Sequence, residues 1–222
     1  MINHVFLAAA GVLVAAAITW PIFHILWWPA AILAAAWIVY LFDAPHAFGK
    51  RADGTLPWYA WAVWWPVFIF QWVGHELART VTSEPVANEV APGVWVGRRP
   101  REHELPAGIA IVVDLCAEMP AARGVSLGRE YVNVPTLDAR TPSAAELVTI
   151  VDRVVAAGGP AFIHCAFGHG RSATVAAAVL VRRGAFTLAT VEAGMKAKRP
   201  KIGLNRRQRA ALAAASQVAD GR

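Results

Sequence analysis

The stretch His164-Cys165-Ala166-Phe167-Gly168-His169-Gly170-Arg171-Ser172 lies between a strand-like apolar run, Ala161-Phe162-Ile163, and an alanine- and valine-rich run from Ala173 to Val181. A strand, a tight loop with glycines and the start of a helix form a cradle for an anion. The loop N–H groups and the positive helix end converge on one point. Cys165 lies in that field, which favours its thiolate and makes it a nucleophile at neutral pH. Arg171 offers a planar fork that matches two phosphate oxygens. Gly168 and Gly170 let the loop turn where positive φ would resist a side chain. Ser172 can donate a hydrogen bond to the sulfur when it must leave. Ala166, Phe167, Gly168, His169 and Gly170 are then the loop residues that meet the substrate phosphate.

This string resembles the signature of the cysteine-dependent phosphatases, in the dual-specificity branch of the protein-tyrosine phosphatase superfamily. The resemblance rests on His164 before the cysteine, both glycines, Arg171 and Ser172 after it, and it covers residues 92 to about 215. It implies a general acid on the loop after the corresponding strand, to protonate the leaving oxygen. Asp138 fits, 27 residues before Cys165. Glu130 to Pro135 reads as a strand and Thr136 to Arg140 as the loop. A helix opens at Ser143, with Glu146 completing a capping box. Asp114 looks like a strand-end structural residue, and Asp152 a solvated helix residue. His164 is either a group that orients the cysteine loop, as the family implies, or a buried histidine satisfied by backbone. His169 either faces the substrate, where a partly charged imidazole would hold an acidic group, or is plain loop surface. The other cysteine, Cys116, ends a strand. Some lipid-directed phosphatases of the superfamily carry a cysteine at the matching place that traps the oxidised nucleophile as a disulfide. A small buried core residue is the alternative. The resemblance implies no metal and no cofactor.

The 222 residues are 57% hydrophobic and 16% charged, and the imbalance is local. Nine of the ten tryptophans precede residue 73, and residues 1–80 hold three Lys/Arg and three Asp/Glu. The apolar runs Val5 to Trp20, Ile25 to Phe42 and Trp58 to Val73 sit near or below the roughly 17–25 residues that span a bilayer. They predict a transmembrane region over 1–75 with two or three spans. Its alternative form is a re-entrant hairpin plus one helix. Trp27, Trp28, Trp58, Tyr59, Trp61, Trp64, Trp65 and Trp72 suit interfacial belts. A thiolate enzyme belongs in a reducing compartment, which places the C-terminal part in the cytosol. Three spans would put Lys50 and Arg51 outside, against the positive-inside rule.

Residues 76–91 read as a polar linker, and 92–219 as the phosphatase domain. Its opening strand is Pro92 to Pro100, followed by strands at Ile109–Leu115, Glu130–Pro135 and Ala161–His164. Helices follow at Ser143–Ala157, Ser172–Arg183, Leu188–Lys198 and Arg206–Ala219. The alternation predicts an α/β layered fold, a sheet flanked by helices. A basic run from Lys196 to Arg209 suits anionic lipid or acidic substrate. It lacks the interleaved aromatics of a nucleic-acid surface. The sequence therefore reads as a membrane-anchored phosphomonoester hydrolase working through a phosphocysteine on phosphoproteins or phospholipid head groups. A catalytically inactive phosphate-recognition module and a sulfurtransferase are the alternatives.

Overall fold

The computed structural model describes residues 2–220. One sheet holds β1 (Ala87–Ala91), β2 (Val94–Arg98), β3 (Ile111–Cys116), β4 (Glu130–Thr136) and β5 (Ala161–Cys165), in the order β1-β2-β5-β3-β4. β1 is antiparallel to β2, and the other neighbours are parallel. Central strands β3 and β5 are buried at every residue, as sheets covered on both faces require. One face carries Val113, Leu115 and Ile163. It packs on Leu147, Val175 and Leu212 from helices α4 (Ala144–Ala156), α5 (Arg171–Arg182) and α7 (Arg206–Asp220). The opposite face carries Val112 and Phe162 against Ile109 and Val125. Ser143 caps α4 through the expected box with Glu146. The layered α/β architecture is the one the sequence predicts.

The polar segment expected as a linker is mostly regular structure. Helix α3 (Trp58–Val81) runs through its first half, and β1 fills its end. β1 is an edge strand with Asn88 and Glu89 on it. The polar residues that protect a sheet edge from further pairing give it the composition of a linker.

The N-terminal 80 residues form a helical unit joined to the sheet. Phe6, near the start of α1 (Ile2–Thr19), packs at a tilt against Tyr40, near the end of α2 (Trp27–Leu41), at 5.5 Å between ring centroids. The two helices are thus a hairpin, turning through Pro21–Leu26. Phe23–Leu41 is the one helix among the described residues long and apolar enough to cross a membrane. α3 differs from the expected third span, because both ends are tied to the α/β domain. Just before it, Gly54 O accepts from the Ala121 N–H. In its last turns Glu76 pairs with Arg101 and Arg79 with Glu104. Ala60, Val67, Phe68, Gln71 and His75 form its buried stripe. Trp58, Trp61, Trp65 and Trp72 are exposed on the outside. Lys50 and Arg51 also lie against the domain. Lys50 is buried beneath β3, and Arg51 O accepts from the Asn133 amide.

The helical unit and the domain share one core. Phe6, Tyr40, Phe48 and Phe68 pack with Ala117, which follows β3, and with Leu137, which follows β4.

Candidate active site

β5 ends at Cys165, the loop runs over Ala166–Gly170 and α5 starts at Arg171. Gly168 has φ 78° and lies so close to β2 that a Cβ there would meet the Gly97 carbonyl carbon at 2.4 Å. Both the left-handed backbone and the close approach demand glycine. Gly170 departs from the expectation. Its φ is −116°, and its lack of a side chain instead makes room for Gln208, whose Nε2 would sit 3.1 Å from a Cβ.

The Cys165 sulfur accepts the Gly168 N–H at 3.2 Å and lies 3.5 Å from the Ser172 hydroxyl. Burial alone would raise the thiol pKa. The Arg171 charge, the Ser172 hydroxyl and the Ser172 and Gly168 N–H groups outweigh it and hold the pKa below its ordinary value. Arg171 is 2% exposed. Its guanidinium binds Glu118 in a bidentate pair at 2.8 and 3.1 Å, and donates to Thr136 O at 2.7 Å. Asp138 Oδ1 stands 3.3 Å from the same guanidinium. Burial opposes the arginine's charge, but Glu118, Asp138 and Cys165 keep it firmly protonated. The buried Arg171 Nε has no hydrogen-bond partner among the described residues. That leaves a donor available for an anion in the cradle. Cys165, Arg171, Ser172 and Asp138 are thus brought together by the ends of β5 and β4 and the start of α5.

His169 is turned away from the cradle, with Nε2 2.7 Å from Glu84 Oε2. Ala166 and Phe167 pack with Cys116 and Met119. Arg199, within the basic run read as an anion-binding surface, is instead the loop's staple. Fully buried, it donates to Gly168 O and Phe167 O and also to Pro85 O, just before β1, and to Asn88 on β1. The basic run is largely consumed in this way. Lys196 and Arg209 pair with Glu192, and Arg207 pairs with Asp43. Glu118 was equally missed; an acid just past a buried strand is the signal that a buried cation needs a partner.

Behind the cradle lies a second buried cluster. His164 faces Asp114 across the β3–β5 register, 3.8 Å apart. Burial, opposed by Asp114 and reinforced by Lys50, lowers the His164 pKa to about 4. The ring is neutral at pH 7. Asp114 accepts from Lys50 Nζ at 2.8 Å and from Tyr131 at 2.7 Å. Burial works against its ionisation, yet the Lys50 ammonium holds its pKa well below the usual carboxylate range. Asp114, Cys116 and His164 are close enough to share a cation. The Lys50 ammonium, also 2.7 Å from Cys116 O, supplies one. Cys116 follows the strand alternation onto this side of the sheet, while Cys165 packs with the core on the other. Both thiols are free, and burial raises the Cys116 pKa.

Residues 103–218 match the family profile described as "Dual specificity phosphatase, catalytic domain". No curated protein matches the chain by sequence. Among solved structures, Tk-PTP in its active form is 28% identical, with a TM-score of 0.53, over 60% of this chain and 97% of its own. Human DUSP28 is 25% identical, with a TM-score of 0.50, over 62% and 97%. PTPMT1 in complex with PI(5)P shares the fold at 18% identity, with a TM-score of 0.53, over 61% and 98%.

Proposed function

The chain belongs to the dual specificity phosphatases, enzymes that use a cysteine, and from that membership we propose a membrane-anchored phosphomonoester hydrolase acting on phospholipid head groups. Cys165 attacks phosphorus as the thiolate, and the bond from phosphorus to the leaving oxygen breaks as Asp138 gives that oxygen its proton. In the second step Asp138, now ionised, takes a proton from water. The water oxygen bonds to phosphorus, the S–P bond breaks, and the Ser172 hydroxyl stabilises the departing thiolate. Arg171 and the loop N–H groups hold the equatorial oxygens in both steps.

The observation that carries the chemistry is a thiol held below its ordinary pKa beside a buried arginine with an N–H to spare. What favours a lipid is the company the cradle keeps. Its Phe167 touches His75 of α3, and its acid loop meets Tyr40 at the end of α2. The α1–α2 hairpin, with Trp20, Phe23, Ile25, Trp27 and Trp28 exposed around its turn, enters the bilayer from the domain's side. α3 lies in the interface plane with its tryptophans outward. Lys50 and Arg51 then stay on the cytosolic side with the domain. A phosphomonoester in the adjoining leaflet reaches the cradle without leaving the membrane.

The test is phosphate release by the full chain in nanodiscs whose bilayer itself carries phospholipid phosphomonoesters, compared with release from phosphotyrosyl and phosphoseryl peptides added to the same nanodiscs. Faster turnover of the lipids is expected, with Cys165→Ser inactive on both. Preference for peptides would support the second reading, a phosphoprotein phosphatase, which the family name favours. Activity of Cys165→Ser above a few per cent of wild type would overturn the mechanism.

A further inference from the structure

Asp138 sits on a loop whose flanks are held by the helical unit. Leu137, immediately before it, is fully buried in the joint core with Phe6, Tyr40 and Phe48. Arg140, two residues after it, donates to Tyr40 O at 2.5 Å and stands 3.9 Å from Asp43. Between them, Ala139 has φ 61°, a left-handed conformation unfavourable for alanine. Only one other non-glycine residue among those described has positive φ: Asp43, at 53°, just past the end of α2. Such residues each cost on the order of 1–3 kcal/mol and persist only where the surroundings enforce them.

The two strained residues flank the place where α2 meets the acid loop. Asp43 turns the chain out of α2 so that its carboxylate meets Arg140 and, at 2.8 Å, Arg207 of α7. Ala139 turns the acid loop so that its carbonyl meets the Asn205 amide at 2.8 Å. Gln208 then donates to Arg140 O. The Tyr40 hydroxyl is buried beside the acid loop, within reach of the Asp138 backbone N–H and of the charges of Glu118, Arg171 and Asp138.

We propose that the end of α2 is part of the active site: it holds the acid loop in its strained conformation, and Arg140 and Asp43 are positioning residues for Asp138. The proposal rests on Asp138 being the general acid of the reaction above. It makes the helical unit a working component of the enzyme as well as its anchor. Detaching α2 would cost the proton transfer while leaving the thiolate and Arg171 in place.

A leaving group that departs as a stable anion does not need the proton, and one with a pKa of about 10, such as phenol, does. The full chain in detergent is assayed with phenyl phosphate and with a dinitrophenyl phosphate. For Arg140→Gln, kcat/KM, which reads the first step alone, should fall roughly 10–100-fold on phenyl phosphate, the scale of a misplaced catalytic group, and by less than about threefold on the activated ester. Asp43→Asn removes the charge but keeps a residue that tolerates left-handed backbone. It should show the same selective loss to a smaller degree, which covers the case that Arg140→Gln fails to fold. Arg140→Lys should recover part of the loss. Equal losses on both esters, or none on phenyl phosphate in either variant, would overturn the proposal. Asp138→Asn is the reference. If it shows no leaving-group selectivity, the assignment of the acid fails first and the positioning role with it.

Discussion

Two buried ion pairs flank the nucleophile strand, and they are used differently. Arg171–Glu118 joins α5 to the segment after β3, wholly within the phosphatase domain. Its guanidinium keeps one N–H uncommitted and faces the cradle. Lys50–Asp114 joins the N-terminal helical unit to the sheet and faces away from the cradle. Its ammonium is spent on Asp114 and Cys116 O, and its carboxylate on Lys50, Tyr131 and the Cys116 N–H. The first pair holds a charge ready for a ligand. The second closes on itself and fastens the apolar unit to the enzyme. A buried pair contributes little net stability over an apolar replacement, but breaking one leaves a charge stranded. Each pair therefore makes its owner dependent on the other partner's segment.

The contrast is sharpest in stability. Lys50→Met leaves the fully buried Asp114 without its cation and should destabilise the protein by about 3–5 kcal/mol. For a chain of this size that corresponds to a Tm lower by roughly 6–20 °C. Asp114 has a depressed pKa in the fold. The pair's contribution is therefore present above the ordinary carboxylate pKa and lost only as pH falls through the depressed value. The gap between wild type and Lys50→Met should be constant near neutral pH and close in strong acid. Adding Asp114→Asn to Lys50→Met should recover part of the loss. Identical thermal unfolding of wild type and Lys50→Met would show that the helical unit is not fastened here.

For the other pair the effect belongs in turnover. Arg171→Lys keeps a charge against Glu118, so the fold should survive, but the planar fork is lost. We expect kcat/KM to fall about 10²–10³-fold, the scale of removing one preorganised donor from a developing charge, with Tm changed far less than in Lys50→Met. If Arg171→Lys instead loses stability on the Lys50→Met scale and keeps its turnover, the two pairs are alike and the contrast is gone.

How much of this was legible beforehand follows from what each part is made of. The cradle is a local device, built within nine residues from a strand end, a loop and a helix start. His164 to Ser172 therefore announce it, as Ser143 and Glu146 announce α4. The ties to the helical unit are not local. Lys50 and Asp114 are 64 residues apart, and Arg140 and Tyr40 are 100 apart. Neither carries a pattern, because Lys50 and Arg51 after an apolar run read as a membrane flank. Periodicity showed α3 to be apolar and rich in tryptophan. It could not distinguish a helix that crosses a bilayer from one lying along a domain. That difference depends on Glu76 and Arg79 finding Arg101 and Glu104.

The smallest expected effect concerns the hydroxyl that completes the front site. Ser172 is buried and directed at the Cys165 sulfur, and its hydroxyl is one of the groups lowering the thiol pKa. The thiolate is the reactive form, so kcat/KM rises with pH through that pKa. Ser172→Ala removes a donor that favours the anion, and the acid limb of the profile should move to higher pH. A hydrogen bond to a charged group contributes about 1.5–3 kcal/mol, and one pKa unit is about 1.4 kcal/mol. The shift should then be about one to two units. Once the thiolate is fully formed, phosphorylation of Cys165 should approach the wild-type rate. Breakdown of the phosphocysteine, in which sulfur departs, should slow and give a pre-steady-state burst of alcohol release. Lys50→Met should leave the acid limb in place, because its ion pair lies on the other side of the sheet. An acid limb that moves in Lys50→Met but stays fixed in Ser172→Ala would mean that the pair behind the strand, rather than the cradle in front of it, tunes the nucleophile.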